Sequence, residues 1–204
     1  MIKNMLSFAS ALCFLVGPAN AAADAVAYGY EIGSALTLPE CPKTLTATGR
    51  ASYGLGSVPF QCLKQVSPTA GPLDLNRPLF LVFPMTMTPA NSSSDSLGAL
   101  LIDGKLELLT VWTKGADFQD AVFDELVGKY GQPTTSTRAP ITTGHGSPVG
   151  GIQATWDLGS DLEVVFSGVL GSMRQGLLLI GSKKGHAAQG ERLKQSRTTG
   201  QTPL

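Results

Sequence analysis

Asp103-Gly104, set between the runs Leu97–Ile102 and Lys105–Thr113, restricts the fold of this chain more than any other pair of residues. A two-residue turn of this kind needs positive φ at both central positions. Aspartate tolerates that and glycine adopts it freely, so the flanking runs are expected to return on each other as an antiparallel hairpin. A helix is expected next, with Asp117 as its cap. Phe118, Val122, Leu126 and Tyr130 recur every fourth residue, and Phe123 and Val127 widen the same apolar stripe. Gly131 and Pro133 then stop it.

The remaining elements group around this unit. Leu79–Phe83 is a continuous apolar run ended by Pro84 and reads as a buried strand, followed by a polar loop from Pro84 to Ser96. Thr134–Gly150 reads as loop from its Thr, Gly, Ser and Pro content. Gly151–Trp156 and Leu162–Gly168 flank a second turn at Asp157-Leu158-Gly159-Ser160, and Gln175–Ile180 completes a three-stranded meander. Antiparallel strands covered by one amphipathic helix imply a two-layer α+β domain.

Residues 22–78 are irregular and punctuated by Pro39, Pro42, Pro59, Pro68, Pro72 and Pro78, which excludes long helices there. Strands are expected within Tyr28–Leu38 and Val58–Val66. From Lys183 onward the chain turns polar and basic, and a short helix is expected at His186–Lys194. The expected organisation is therefore a leader at 1–21, one globular domain at 22–182 and a basic tail at 183–204.

The leader is read from Lys3, the apolar stretch Met5–Val16, and the small residues Ala19, Ala21 and Ala23, which together form a secretory signal with cleavage after Ala21 or Ala23. The apolar stretch is well short of the roughly 20 residues a helix needs to cross a bilayer, so no retained membrane span is expected. Cys13 leaves with the leader. Cys41 and Cys62 then form an even pair in a chain bound for an oxidising compartment, and a disulfide between them is expected. Fifteen basic and fifteen acidic residues balance, and losing Lys3 leaves one net negative charge, which provides no field to attract nucleic acid.

Candidate chemistry is sparse. The mature chain holds two histidines. His145 lies in a Gly-rich loop beside Ser147, and a small hydrolase would pair it with a carboxylate such as Asp157 or Asp161. His186 reads as a helix-end residue. Met85 and Met87 could offer thioethers to Cu(I), against the simpler reading of two core side chains on one face of an extended segment. Asp117, Asp120, Asp124 and Glu125 read as the solvated face of the helix, with Lys129 placed to offset Glu125. No residue is assigned a catalytic, cofactor-binding or metal-binding role, and no cofactor is expected.

Leu101-Ile102-Asp103-Gly104-Lys105-Leu106, the helix beginning near Phe118, and its ending Lys129-Tyr130-Gly131-Gln132-Pro133 resemble a module of exported proteobacterial proteins of unassigned function. The Glu40-Cys41-Pro42 turn and the strand containing Trp156 are similar to theirs as well. The resemblance covers about half of the mature chain. It implies a Gram-negative periplasmic setting and an α+β fold, and brings no catalytic residues with it. The expected function is that of a periplasmic or secreted non-enzymatic domain that binds a protein or cell-envelope component. Binding would use the loops Pro84–Ser96 and Thr134–Gly150 or an open sheet face; the alternative is the His145 hydrolase.

Overall fold

The computed structural model describes residues 25–48, 50–53, 58–66, 68–142, 148–159 and 161–199. The leader, its cleavage sites, His145 and Ser147 lie outside these residues. Two short ribbons come first, β1 (Val26–Ala27) with β2 (Tyr30–Glu31) and β3 (Lys43–Leu45) with β4 (Ala51–Tyr53). The main sheet follows, with β5 (Cys62–Gln65), β6 (Leu79–Val82), β7 (Ser96–Ile102) and β8 (Lys105–Thr113). After the helix α1 (Gln119–Tyr130) come β9 (Thr135–Thr142), β10 (Pro148–Asp157), β11 (Leu162–Ser167), β12 (Gly176–Ser182) and the helix α2 (Lys183–Thr199). The fold is α+β, with eight strands in the antiparallel order β5-β6-β7-β8-β12-β11-β10-β9. Two four-stranded meanders thus meet through β8 and β12.

The Asp103-Gly104 hairpin forms as expected, with φ of 53° and 76° at its two central residues. The pairing Leu101↔Leu106 shifts to Leu100↔Leu108, leaving Glu107 as a bulged residue. Because of that extra residue, Leu106, Leu109 and Val111 all reach the core face despite their uneven spacing. Leu178 and Ile180 lie directly opposite Val111 and Leu109. Val164 and Phe166 of β11 and Ile152, Ala154 and Trp156 of β10 continue the layer.

Helix α1 covers this face with Val122 and Leu126, and Phe123 packs against Trp156 at 5.9 Å between ring centres. Gly131, at φ 79°, ends the helix, and its carbonyl accepts the Trp156 indole N–H at 2.8 Å. Asp117 does not cap α1. The cap position is Phe118, which makes no side-chain cap hydrogen bond, and Gln119 anchors the first turn instead. Its amide donates to the Gly150 carbonyl at 2.8 Å and accepts the Ile152 N–H at 2.9 Å, fixing the helix start on β10.

Further expectations need correction. Thr135–Thr142 and Pro148–Gly150, read as loop, are strand, because Thr135–Thr142 pairs with Pro148–Thr155 over eight residue pairs. Their composition hid a strand in which alternating Thr suits extended backbone and Pro140 is tolerated because the strand is at the sheet edge. The C-terminal helix is also longer than His186–Lys194, running Lys183–Thr199 on the face opposite α1. His186 there meets Glu163, whose side chain alternates with those of core-facing Leu162 and Val164.

The N-terminal segment closes the other edge. Leu63 donates to the Pro39 carbonyl and Cys41 to the Leu63 carbonyl, both at 2.8 Å, and Cys41–Cys62 is a disulfide. The strand expected within Tyr28–Leu38 shortens to Tyr30–Glu31, paired with Val26–Ala27 across a Tyr28-Gly29 turn with positive φ at both residues.

Replacing Cys41 and Cys62 together by alanine is expected to lower the unfolding free energy by about 3 kcal/mol, as read by urea titration, since the bridge closes a 21-residue separation. Tyr28 supplies a test at high pH. Burial pushes its hydroxyl far above the ordinary phenol range, with Glu125 and Tyr130 adding to the effect. An unfolded tyrosine ionises near about pH 10, so the Tyr28 contribution is complete below that pH and is lost progressively as the pH rises from there through the raised pKa of the folded state. Tyr28→Phe is expected to flatten the fall in stability above about pH 10 relative to the unmodified protein.

Candidate functional site

The chain's polar groups of chemical interest divide between the two ends of the sheet. At the end formed by the Asp103-Gly104 turn, α2 starts against the β8 bulge. Glu107 is only 6% exposed and accepts a hydrogen bond from the Ser182 hydroxyl. The same hydroxyl oxygen accepts the Gly185 N–H at 2.9 Å, so Ser182 is the helix N-cap. Gly181 and Gly185 lie so close to Glu107 and Leu108 that a Cβ at either would overlap them, which lets the helix sit directly on the bulge. His186, in the first turn, places Nε2 3.1 Å from the Glu163 carbonyl oxygen and Nδ1 3.8 Å from its carboxylate. The serine proton therefore goes to Glu107 and the imidazole to Glu163. This constellation docks a helix, and its hydroxyl is not activated by the imidazole.

Asp157 and Asp161, proposed partners of His145, lie at this same end. The Gly159 N–H and then the Lys183 ammonium, 3.2 Å away, hold the Asp157 carboxyl below its usual range. Thr142 and Pro148, which flank the segment containing His145, occupy the opposite end of the β9–β10 hairpin. At about 3.3 Å per residue, β10 separates Pro148 from Asp157 by about 30 Å. Among the described residues no cluster of three or more His, Cys, Asp or Glu side chains is arranged to hold a metal ion.

The opposite end exposes several large apolar side chains. The loop between β6 and β7 is tied down by the Ser93 N–H on the Trp112 carbonyl at 2.7 Å, and the loop after β8 by the Ala116 N–H on the Met173 carbonyl at 2.7 Å. Gly115 is obligatory there, with φ of 76° and the backbone of residues 173–175 where a Cβ would stand. Met85 and Met87 are 78% and 56% exposed, which corrects their reading as core residues. They lie on a 3₁₀ turn, Met85–Met87, where positions two apart do not share a face. Phe118, Leu170 and Met173 from the neighbouring loops are exposed as well, and the Lys114 ammonium stands 5.0 Å from the Phe118 ring centre.

The sheet face turned away from α1 adjoins this end. Trp112 opposes Leu177, and Leu179 opposes Thr110 and Val165; these side chains are half-buried, beyond the part of the face that α2 crosses. Sequence reasoning assigned the loop Pro84–Ser96 to recognition but missed Phe118, Leu170 and Met173, whose loops are brought to the same end of the sheet by the pairing of β8 with β12. The carboxylates Asp117, Asp120, Asp124 and Glu125 are solvent-exposed, as expected, with Asp120 on Arg138 and Glu125 on Asn91.

Ser182→Ala is expected to cost about 1–3 kcal/mol by urea unfolding, because it removes the α2 cap and leaves the buried Glu107 carboxylate without its donor. No family model, curated protein or solved structure matches this chain, so its own surfaces are what indicate its function.

Proposed function

We propose that the chain is an exported, periplasmic or secreted, non-enzymatic domain that binds a protein or cell-envelope component through the apolar loop end of its sheet. The observation that carries this reading is the exposure of Met85, Met87, Phe118, Leu170 and Met173 on separate loops that leave the same end of the sheet. Exposed methionine is costly in water and adapts readily to a partner's shape, as is typical of recognition surfaces. The loops themselves are held by backbone hydrogen bonds and by Gly115, so the surface is pre-organised. The leader composition and the resemblance to exported proteobacterial proteins support the address, and the Cys41–Cys62 disulfide suits an oxidising compartment.

The triple variant M85S/M87S/F118S tests the reading on mature protein recovered from the periplasm, whose intact mass is expected to begin at Ala22 or Asp24. The variant should keep the parent's thermal unfolding midpoint while losing retention on immobilised envelope extract at least about tenfold, equivalent to about 1.4 kcal/mol. Unchanged retention would remove the loop end from consideration.

A further inference from the structure

We propose that the free edge of β9 is a second docking site, which takes an extended segment of another protein as a ninth strand and favours a basic residue on its α1 side. This goes beyond the loop-end surface and uses different residues.

The backbone geometry defines what the edge offers. The Ile152 carbonyl accepts the Gly168 N–H at 2.7 Å, so the backbone groups of Ile152 point toward β11. In an antiparallel ladder a residue sends its N–H and C=O to the same side, and successive residues alternate. Gly151, Gln153 and Thr155 therefore bond β9, through Ala139, Thr137 and Thr135 opposite them. Ser136, Arg138 and Pro140 lie between those pairs and direct their backbone groups away from the sheet. The edge thus presents donors at Ser136 and Arg138 and acceptors at Ser136, Arg138 and Pro140. Pro140 has no N–H and sits with its ring nitrogen on the open side, where an edge strand tolerates it.

Nothing among the described residues covers these groups. Thr135–Pro140 is solvent-exposed on both faces. The opposite edge shows how this fold closes a strand when it does so. There Leu63 of β5 is bonded on its outer side by Pro39 and Cys41, and the disulfide fixes the cover in place. Proteins guard free edges with charges, prolines and bulges. On β9 the single charge, Arg138, is turned onto Asp120 of α1. The run Thr135–Thr137 has neither charge nor proline.

The choice of occupant follows from charge. Asp124 lies one turn after Asp120 on the same flank of α1, is exposed, and has no ion-pair partner among the described residues. Arg138 and Ser136 share a sheet face with Ile152 and Ala154, the face α1 covers. An added strand with Lys or Arg on that side brings a cation toward Asp124. A second copy would instead bring another Arg138–Asp120 pair and another unpaired Asp124, and the two unpaired carboxylates oppose this.

An array of immobilised octapeptides, alternating threonine with either lysine or glutamate, tests the proposal against the mature protein. Retention on lysine peptides is expected to exceed that on glutamate peptides at least about tenfold at low salt and to weaken as salt rises. Ser136→Pro removes an outward donor without touching the β10 ladder and should abolish retention, whereas Ser136→Ala should keep it. Asp124→Asn should erase the lysine preference. With the lysine peptide in solution, amide exchange should slow at Ser136 and Arg138, while Thr137, already bonded to β10, stays unchanged. The M85S/M87S/F118S variant should bind these peptides normally, so failure of the loop-end reading and failure of this one remain separate. Equal retention of S136P and S136A, no lysine preference, or no slowing at Ser136 would overturn the proposal. A concentration-dependent dimer that S136P dissolves would overturn it in favour of a second copy.

Discussion

The pairing of β8 with β12 holds the molecule together. Each meander is local and could form from neighbouring hairpins, but neither has enough apolar surface behind it to be a domain. Joining them sets Leu109 against Ile180 and Val111 against Leu178, across the intervening α1, β9, β10 and β11. Closing that connection costs chain entropy before any contact repays it. The repayment is a continuous layer from Leu63 and Leu81 on one side to Ile152 and Trp156 on the other. The Glu107 bulge belongs to the same solution, because it lets Leu106 reach the core while Leu109 and Val111 stay in register with β12.

The sheet's two outer strands are treated differently, and the difference originates in the sequence. β5 has only Cys62–Gln65, too short to hold its place unaided, and it gains a flanking segment at Pro39–Cys41 together with a covalent bridge. β9 has eight residues paired to a ten-residue neighbour and needs no cover to persist. A long strand that is stable when half-satisfied leaves its outer backbone groups available, and a short one cannot.

Elements governed by local chemistry were legible in the sequence. Asp103-Gly104 fixes its hairpin through φ alone, and Val122 and Leu126 with the stop at Gly131 mark α1, although Phe118, read as part of the same stripe, is exposed at the cap. The Cys41–Cys62 bridge followed from the even cysteine count left once the expected leader is set aside. What was missed depended on distant partners. Thr135–Thr142 reads as loop until β10 is beside it, and Tyr28-Gly29 gives no turn signal of the strength of Asp-Gly although it adopts the same signs of φ. α2 looks like a tail because its docking relies on Gly181 and Gly185 meeting a bulge 75 residues earlier than Ser182, and no amphipathic stripe announces that. Met85 and Met87 looked like core residues because a methionine's burial is set by the surrounding chain, which their own hexapeptide does not contain.

Departures from the usual partition of polar and apolar groups separate structural from functional features. Glu107 is a carboxylate taken out of water, a cost of several kcal/mol if left alone. The Ser182 hydroxyl and the start of α2 answer it within the chain, so its explanation is complete without a partner. Exposed Met85 and Met87, and the outward N–H groups of Ser136 and Arg138, are departures of the other kind, since no described residue of the chain answers them. Water satisfies the amides at little cost and the apolar side chains poorly, so the two surfaces are expected to differ in what they gain from a partner. The loop end gains by burying area, insensitive to salt, and the β9 edge gains by hydrogen-bond geometry and charge, sensitive to both register and salt. Neither surface contributes a side chain to the buried layer between the sheet and α1, so either can change its partner without weakening the fold that presents it.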